Sequence, residues 1–214
     1  MHLEVVPALQ CPVPHERAWL VARTDRLEAR HIVEGVLGCP SCGAEYLVHN
    51  GVVQFGPKVR EPDDDRVPIP DAAVRAAALL GLTTPGGLVV LAGAWADAAV
   101  DVAALADGVH VLALNADADA PLGLGVSSAS APAAVPLGDA VARGIALDEA
   151  HAAPEAVHAA AAALMVEGRL LAPASAAVPP PLNELARDER WWVAERPPAV
   201  PVVPLTSARR TGPR

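Results

Sequence analysis

GGLVVLAGAWADAAVDVAALADGVHVLALN, residues 86–115, is the stretch on which the reading of the fold turns. Residues 88–92 and 111–114 are continuous apolar runs without polar alternation, and between them apolar residues recur at helical spacing until Gly108. A strand wetted on one face alternates apolar and polar side chains, whereas a strand buried on both faces does not. Two such strands around a helix predict a parallel sheet covered on both faces.

The same grammar extends on either side. PDAAVRAAALLGL (70–82) predicts a helix started near Asp71, and RGIALD (143–148) a further buried strand. APEAVHAAAAALMVEG (153–168) predicts a helix with Pro154 in its first turn, Glu155 at its positive end and Gly168 closing it. RLLAPA (169–174) is a fourth strand, and the loop-rich stretch after Asn115 has room for a short strand near Val126. PPLNELARDERWW (180–192) predicts a last helix, with WWVAER (191–196) and PVVPL (201–205) forming a closing hairpin. In a strand, Trp191 and Trp192 point to opposite faces, so one indole could lie in solvent as a partner contact, although burial of one or both is the simpler reading.

Before residue 57 the chain differs. GCPSCGAEYLVHNGVVQF (38–55) carries Cys39 and Cys42 in a C-x-x-C knuckle, then a hairpin turned at Asn50–Gly51. Upstream, Cys11-Pro-Val-Pro-His15 is a C-x3-H pair. Cys11, His15, Cys39 and Cys42 together make a tetrahedral set for one structural zinc, closed to substrate because all four positions are protein ligands. His31 and His49 are alternative fourth ligands, although both sit in strand-like surroundings. A redox C-x-x-C ordinarily opens a helix, and here a hairpin follows. An iron–sulfur cluster on three Cys and one His and a metal-free remnant stand as further alternatives.

The expected domains are a zinc-ribbon module at 1–56, a Pro-rich acidic linker at 57–70, an α/β domain at 71–207 and a basic tail at 208–214. A net charge of −9, with Lys58 the only lysine, argues against a nucleic-acid partner, since phosphate binding needs clustered cations. Arg209, Arg210 and Arg214 read as a solvated terminus. No apolar run is long enough to span a bilayer, no signal peptide is visible, and a cytoplasmic location is expected. Asp148, His151 and His158 could suggest acid–base chemistry, but Pro154 interrupts them and scattered surface histidines are the simpler reading. Ser127, Ser128 and Ser130 lack the elbow of a nucleophilic serine.

Two resemblances rest on these residues. Leu9-Gln10-Cys11-Pro12, Leu37 to Gly43, Tyr46-Leu47-Val48 and Asn50-Gly51-Val52-Val53 resemble the Trm112-like zinc-ribbon family, whose members are often partners or fused accessories of methyltransferases; the family's first C-x-x-C is C-x3-H here. The order of elements in 71–207 resembles a class I S-adenosylmethionine-dependent methyltransferase. That resemblance implies cofactor contacts at Gly93, Asn115 and Asp139. It also shows losses: Leu91 stands for the acid ending the first strand, Trp95 and Asp97 for glycines, and Asn115 for the ribose carboxylate. A side chain in a glycine loop intrudes on the ligand, so Trp95 is expected to crowd the methionine position unless its indole turns away. The resemblances imply a zinc-binding, non-catalytic protein-interaction subunit that has given up the cofactor, with a divergent methyltransferase as the alternative.

Overall fold

A computed structural model describes residues 1–56, 68–116, 125–131 and 136–198. Eleven strands form one sheet: β1 (Val21–Glu28), β2 (His31–Gly38), β3 (Glu45–His49), β4 (Val52–Gln54), β5 (Leu88–Ala92), β6 (His110–Leu114), β7 (Val126–Ser130), β8 (Ala142–Ala146), β9 (Leu164–Pro173), β10 (Asn183–Arg187) and β11 (Trp191–Glu195). Their order is β1-β2-β3-β4-β7-β6-β5-β8-β9-β11-β10. The first four run antiparallel, β4 to β9 form a parallel block, and β11 is antiparallel to both β9 and β10. Counted from β5, the last seven strands lie 3-2-1-4-5-7-6. The doubly wound order 3-2-1-4-5-6 is thus modified by slipping an antiparallel final strand inside the edge.

The residues of 86–115 lie as their pattern predicts. Val89 and Leu91 of β5, with Val111 and Ala113 of β6, face one core cluster; Leu88, Val90, Leu112 and Leu114 face the other. The first face is covered by α1 (Ala72–Leu79), α2 (Ala99–Leu105) and a 3-10 turn over Gly93–Ala98. The second is covered by α3 (Pro154–Ala163) and, unexpectedly, by the N-terminal segment, which buries Met1, Val5, Val6 and Leu9 there. That segment is stitched to the approach to β8 by Gln10 N–H to Pro136 O and Gly138 N–H to Ala8 O, at 3.0 and 2.9 Å. The front of the chain is therefore part of the main sheet, through β4 beside β7, and part of its covering layer.

Two expectations are corrected. The third helix stops at Ala163, and residues 164–168 belong to β9. Gly168 closes no helix: a β-carbon there would meet three carbonyl oxygens, those of Met165 at 2.8 Å and of Ala142 and Arg143 at 3.1 Å each. It marks the register shift between β8 and β9, where backbone passes close to backbone. Residues 183–187 form edge strand β10 and no helix. The reversal that follows is held by Asp188, whose Oδ1 accepts the N–H groups of Arg190 and Trp191 at 2.7 Å each. The closing hairpin is accordingly β10–β11, and residues 201–205 lie outside the described residues. Both tryptophans are buried, the simpler of the two expectations: Trp191 is 7% and Trp192 1% exposed, in opposite core clusters. The antiparallel tail is covered on both faces at this point.

The hairpin at Asn50–Gly51 forms as expected, both residues having positive φ (49° and 82°) and His49 pairing with Val52. Residues 57–67 of the expected linker and the basic tail lie outside the described residues. Among the described residues no helix is long and apolar enough to cross a membrane.

Candidate metal centre and the closed crevice

Cys11, His15, Cys39 and Cys42 come together, their ligand atoms all within 4.8 Å of one another. Cys11 Sγ and Cys42 Sγ are 3.8 Å apart, and His15 Nε2 is 3.4 Å from Cys39 Sγ. Sulfurs about 2.3 Å from a tetrahedral metal lie about 3.8 Å from one another, and a sulfur–nitrogen edge is about 3.5 Å. These two edges match a zinc-sized tetrahedron, and no pair of the four ligand atoms lies farther apart than 4.8 Å. The His15 ring is oriented by its other nitrogen, since Nδ1–H donates to the Glu16 carbonyl and leaves Nε2 as the lone-pair atom facing the thiols.

Local backbone explains why the sulfurs converge. After Cys39 the chain turns tightly, with Gly43 N–H on Cys39 O at 3.0 Å and Cys39 N–H on Ala44 O at 2.8 Å. Gly43 takes φ +71°, the turn that only glycine adopts without strain. The amides of Ser41 and Cys42 point at Cys39 sulfur, and that of Ala44 at Cys42 sulfur. Burial raises the Cys39 thiol, but these amides outweigh it and hold it below the ordinary value. Cys11 behaves likewise: burial pushes it up, while Tyr46 hydroxyl, at 3.2 Å, and Val13 amide bring it down. Tyr46, four residues beyond Cys42, enters the sequence reading only as part of the ribbon resemblance, without a role at the sulfurs; its signal is that it is the only tyrosine of the chain. His31 and His49 are not in the cluster. His31 is 1% exposed with its ring nitrogens 3.0 Å from the Ala29 and Val126 carbonyls, and His49 contacts Glu34 on the surface.

The other candidate site is the carboxyl edge of the parallel block, between β5 and β8, where strand order reverses and doubly wound folds bind ligands. Gly93 and Asn115 both reach this edge, directly after β5 and β6. Asp139 does not: it precedes β8, whose start pairs with the start of β5, so it lies at the opposite end of the strands. There it forms a surface ion pair with Arg17. Asn115 is 1% exposed and wholly engaged. Its Oδ1 accepts Ala131 N–H at 3.0 Å, which fixes the amide, and Nδ2 donates to Ala131 O and to His151 Nε2, both at 2.9 Å. His151 Nε2 is thereby an acceptor, and its Nδ1–H donates to Asp148 Oδ1 at 2.5 Å.

Asp148 completes the network across the reversal point. Its Oδ2 accepts Ala94 N–H at 2.9 Å, and the carboxylate rests on Gly93, where a β-carbon would lie 2.0 Å from Oδ2. Asp148 and His151 are 7% and 2% exposed, so the reading of them as scattered surface groups is corrected; His158, exposed and bonded to Pro154 O, is separate. Trp95 does not crowd this position. Its indole turns into the core, 0% exposed and edge-on to Trp191 at 5.1 Å, and the group lying on the glycine is Asp148.

No protein-family model matches the chain, and no curated protein matches it. Among solved structures, the antibiotic-resistance methyltransferase Kmr aligns at 11% identity and a TM-score of 0.38, over 59% of this chain and 93% of its own. A T. thermophilus 16S rRNA N2 methyltransferase, RsmC, in complex with AdoMet and guanosine, aligns at 16% identity and a TM-score of 0.31, over 79% of this chain and 47% of its own.

Proposed function

We propose that the chain is a zinc-binding, non-catalytic subunit that acts through contacts with other proteins, built on a methyltransferase-like sheet whose cofactor position is filled from within. Its front, residues 1–56, is a Trm112-like ribbon, and Cys11, His15, Cys39 and Cys42 hold one structural zinc. The donor set supports the metal: three thiols and one imidazole at tetrahedral spacing, two of the thiols with their ordinary protonation shifted toward thiolate by amide and phenol donors. When bound, the ion supplies cross-linking of two chain segments and no open coordination position.

The observation that carries the non-catalytic reading is the Asp148 carboxylate on Gly93 and Ala94 N–H. An anionic or polar ligand at the reversal point would have to displace an acceptor already bonded to that amide and to His151. Asn115, the residue expected at the ribose, has spent both its amide groups on Ala131 and His151.

The test is elemental analysis with calorimetry on the purified chain. One zinc per chain and no heat with S-adenosylmethionine up to about millimolar concentration are expected. Binding at micromolar concentration would replace this reading by a divergent methyltransferase, and absence of metal from freshly isolated protein would remove the zinc centre.

A further inference from the structure

The two knuckles of the metal centre are not equally supplied with hydrogen bonds. Cys39 sulfur receives the amides two and three residues ahead, Ser41 and Cys42. The equivalent residues after Cys11 are Val13 and Pro14. Val13 donates its amide, but proline has no N–H to give. A thiolate sharing two positive charges' worth of metal with two other thiolates is stabilised by such donors, and without a second one Cys11 would keep a single amide, as Cys42 does from Ala44.

Tyr46 stands at that gap. Its hydroxyl is 3.2 Å from Cys11 Sγ, with a phenol that cannot turn elsewhere: the residue is 8% exposed and its ring packs on Phe55 at a centroid distance of 5.0 Å. Packing alone would be served by phenylalanine, whereas a buried phenol needs a partner. Tyr46 arrives from β3, directly after the C-x-x-C turn, so the strand that leaves one knuckle carries the donor for the other. The geometry points to Tyr46 as a positioning residue of the metal centre, supplying Cys11 with the hydrogen bond that Pro14 cannot. This rests on the zinc reading above and goes beyond its four ligands.

The experiment uses the full chain, with zinc affinity measured by competition against a chromogenic chelator and the absorption spectrum recorded after cobalt(II) substitution. Tyr46→Phe keeps the ring and is expected to weaken zinc binding roughly 10–100-fold, the range for loss of an outer partner, and to shift the thiolate-to-cobalt charge-transfer band. Adding Pro14→Ala, which returns an N–H three residues after Cys11, is expected to recover affinity in the Tyr46→Phe background. A Tyr46→Phe protein with affinity within twofold of the parent and an unmoved cobalt band would overturn the role of Tyr46 alone. Failure of Pro14→Ala to recover any affinity would overturn the equivalence of the two donors. A parent chain that binds neither ion would instead remove the metal reading beneath it.

Discussion

The Asp148 carboxylate lies so close over Gly93 that a β-carbon on the glycine would stand 2.0 Å from Oδ2. Gly93 also takes φ +60°, which side chains rarely adopt. Gly93→Ala therefore meets both backbone strain and the carboxylate, and a loss of about 2–4 kcal/mol in urea unfolding is expected. Asp148→Ala strips the acceptor from Ala94 N–H and from His151, with an expected loss of about 2–4 kcal/mol. Because the two changes act on one contact, the double variant should lose less than the sum of the singles. Strict additivity would show that the carboxylate does not rest on the glycine.

Much of this fold is legible in 86–115, since continuous apolar strands leave a parallel, doubly covered sheet as the consistent solution. The metal set is legible for a different reason: C-x-x-C followed by glycine specifies local backbone. What escaped the sequence is non-local. Residues 164–168 carry the leucine and methionine of a good helix, yet pairing with β8 wins, and the glycine expected to cap the helix serves a bulge. Asp148 looks like any loop aspartate until β5 and β8 lie side by side. Whether Trp95 obstructs or turns away stays open in the sequence, because spacing says nothing about which way an indole turns.

Metal removal should be felt beyond the ligands. Cys11 and His15 belong to the segment that covers one face of the parallel sheet, while Cys39 and Cys42 lie between β2 and β3, in the same sheet. At a thousandfold excess over its dissociation constant a ligand stabilises by about 4 kcal/mol, and about 2–4 °C per kcal/mol applies to a chain of this size. Chelation should lower the melting temperature by roughly 8–16 °C, as one transition monitored by circular dichroism. Two separated transitions, only the smaller one metal-dependent, would show that the front of the chain folds apart from the sheet.

Acid should weaken the junction where His2 meets His31 and His110, at ring-centroid distances of 4.8 and 4.5 Å. The His2 imidazole is held below its ordinary value, first by burial, then by the neighbouring His110 and His31; Glu4 opposes this and Arg30 adds to it. The unfolded chain takes up this proton near pH 6.5, the folded chain only at lower pH. The unfolded state thus binds more protons in between, and stability, complete above about pH 6.5, declines as pH falls toward the folded value. His2→Gln, which keeps a polar side chain of similar reach, should flatten this acid limb in urea titrations between about pH 5 and pH 7. An unchanged slope would place the acid sensitivity elsewhere.

Trp19 reports whether the segment carrying Cys11 and His15 is seated. It is 48% exposed, whereas Trp95, Trp191 and Trp192 are each 7% exposed or less. Its ring lies on Gly138, where a β-carbon would meet the indole at 2.2 Å, and Gly138 N–H is bonded to Ala8 O on the same segment. Iodide should therefore quench one tryptophan of the four, and Trp19→Phe should abolish the quenchable component. Gly138→Ala drives the indole off its seat, and the accessible fraction from Trp19 should rise without exposing the three core rings. The same rise on chelation would tie the seating of this segment to the metal through Cys11 and His15. A quenching curve that neither Gly138→Ala nor chelation changes would show that Trp19 does not depend on that contact.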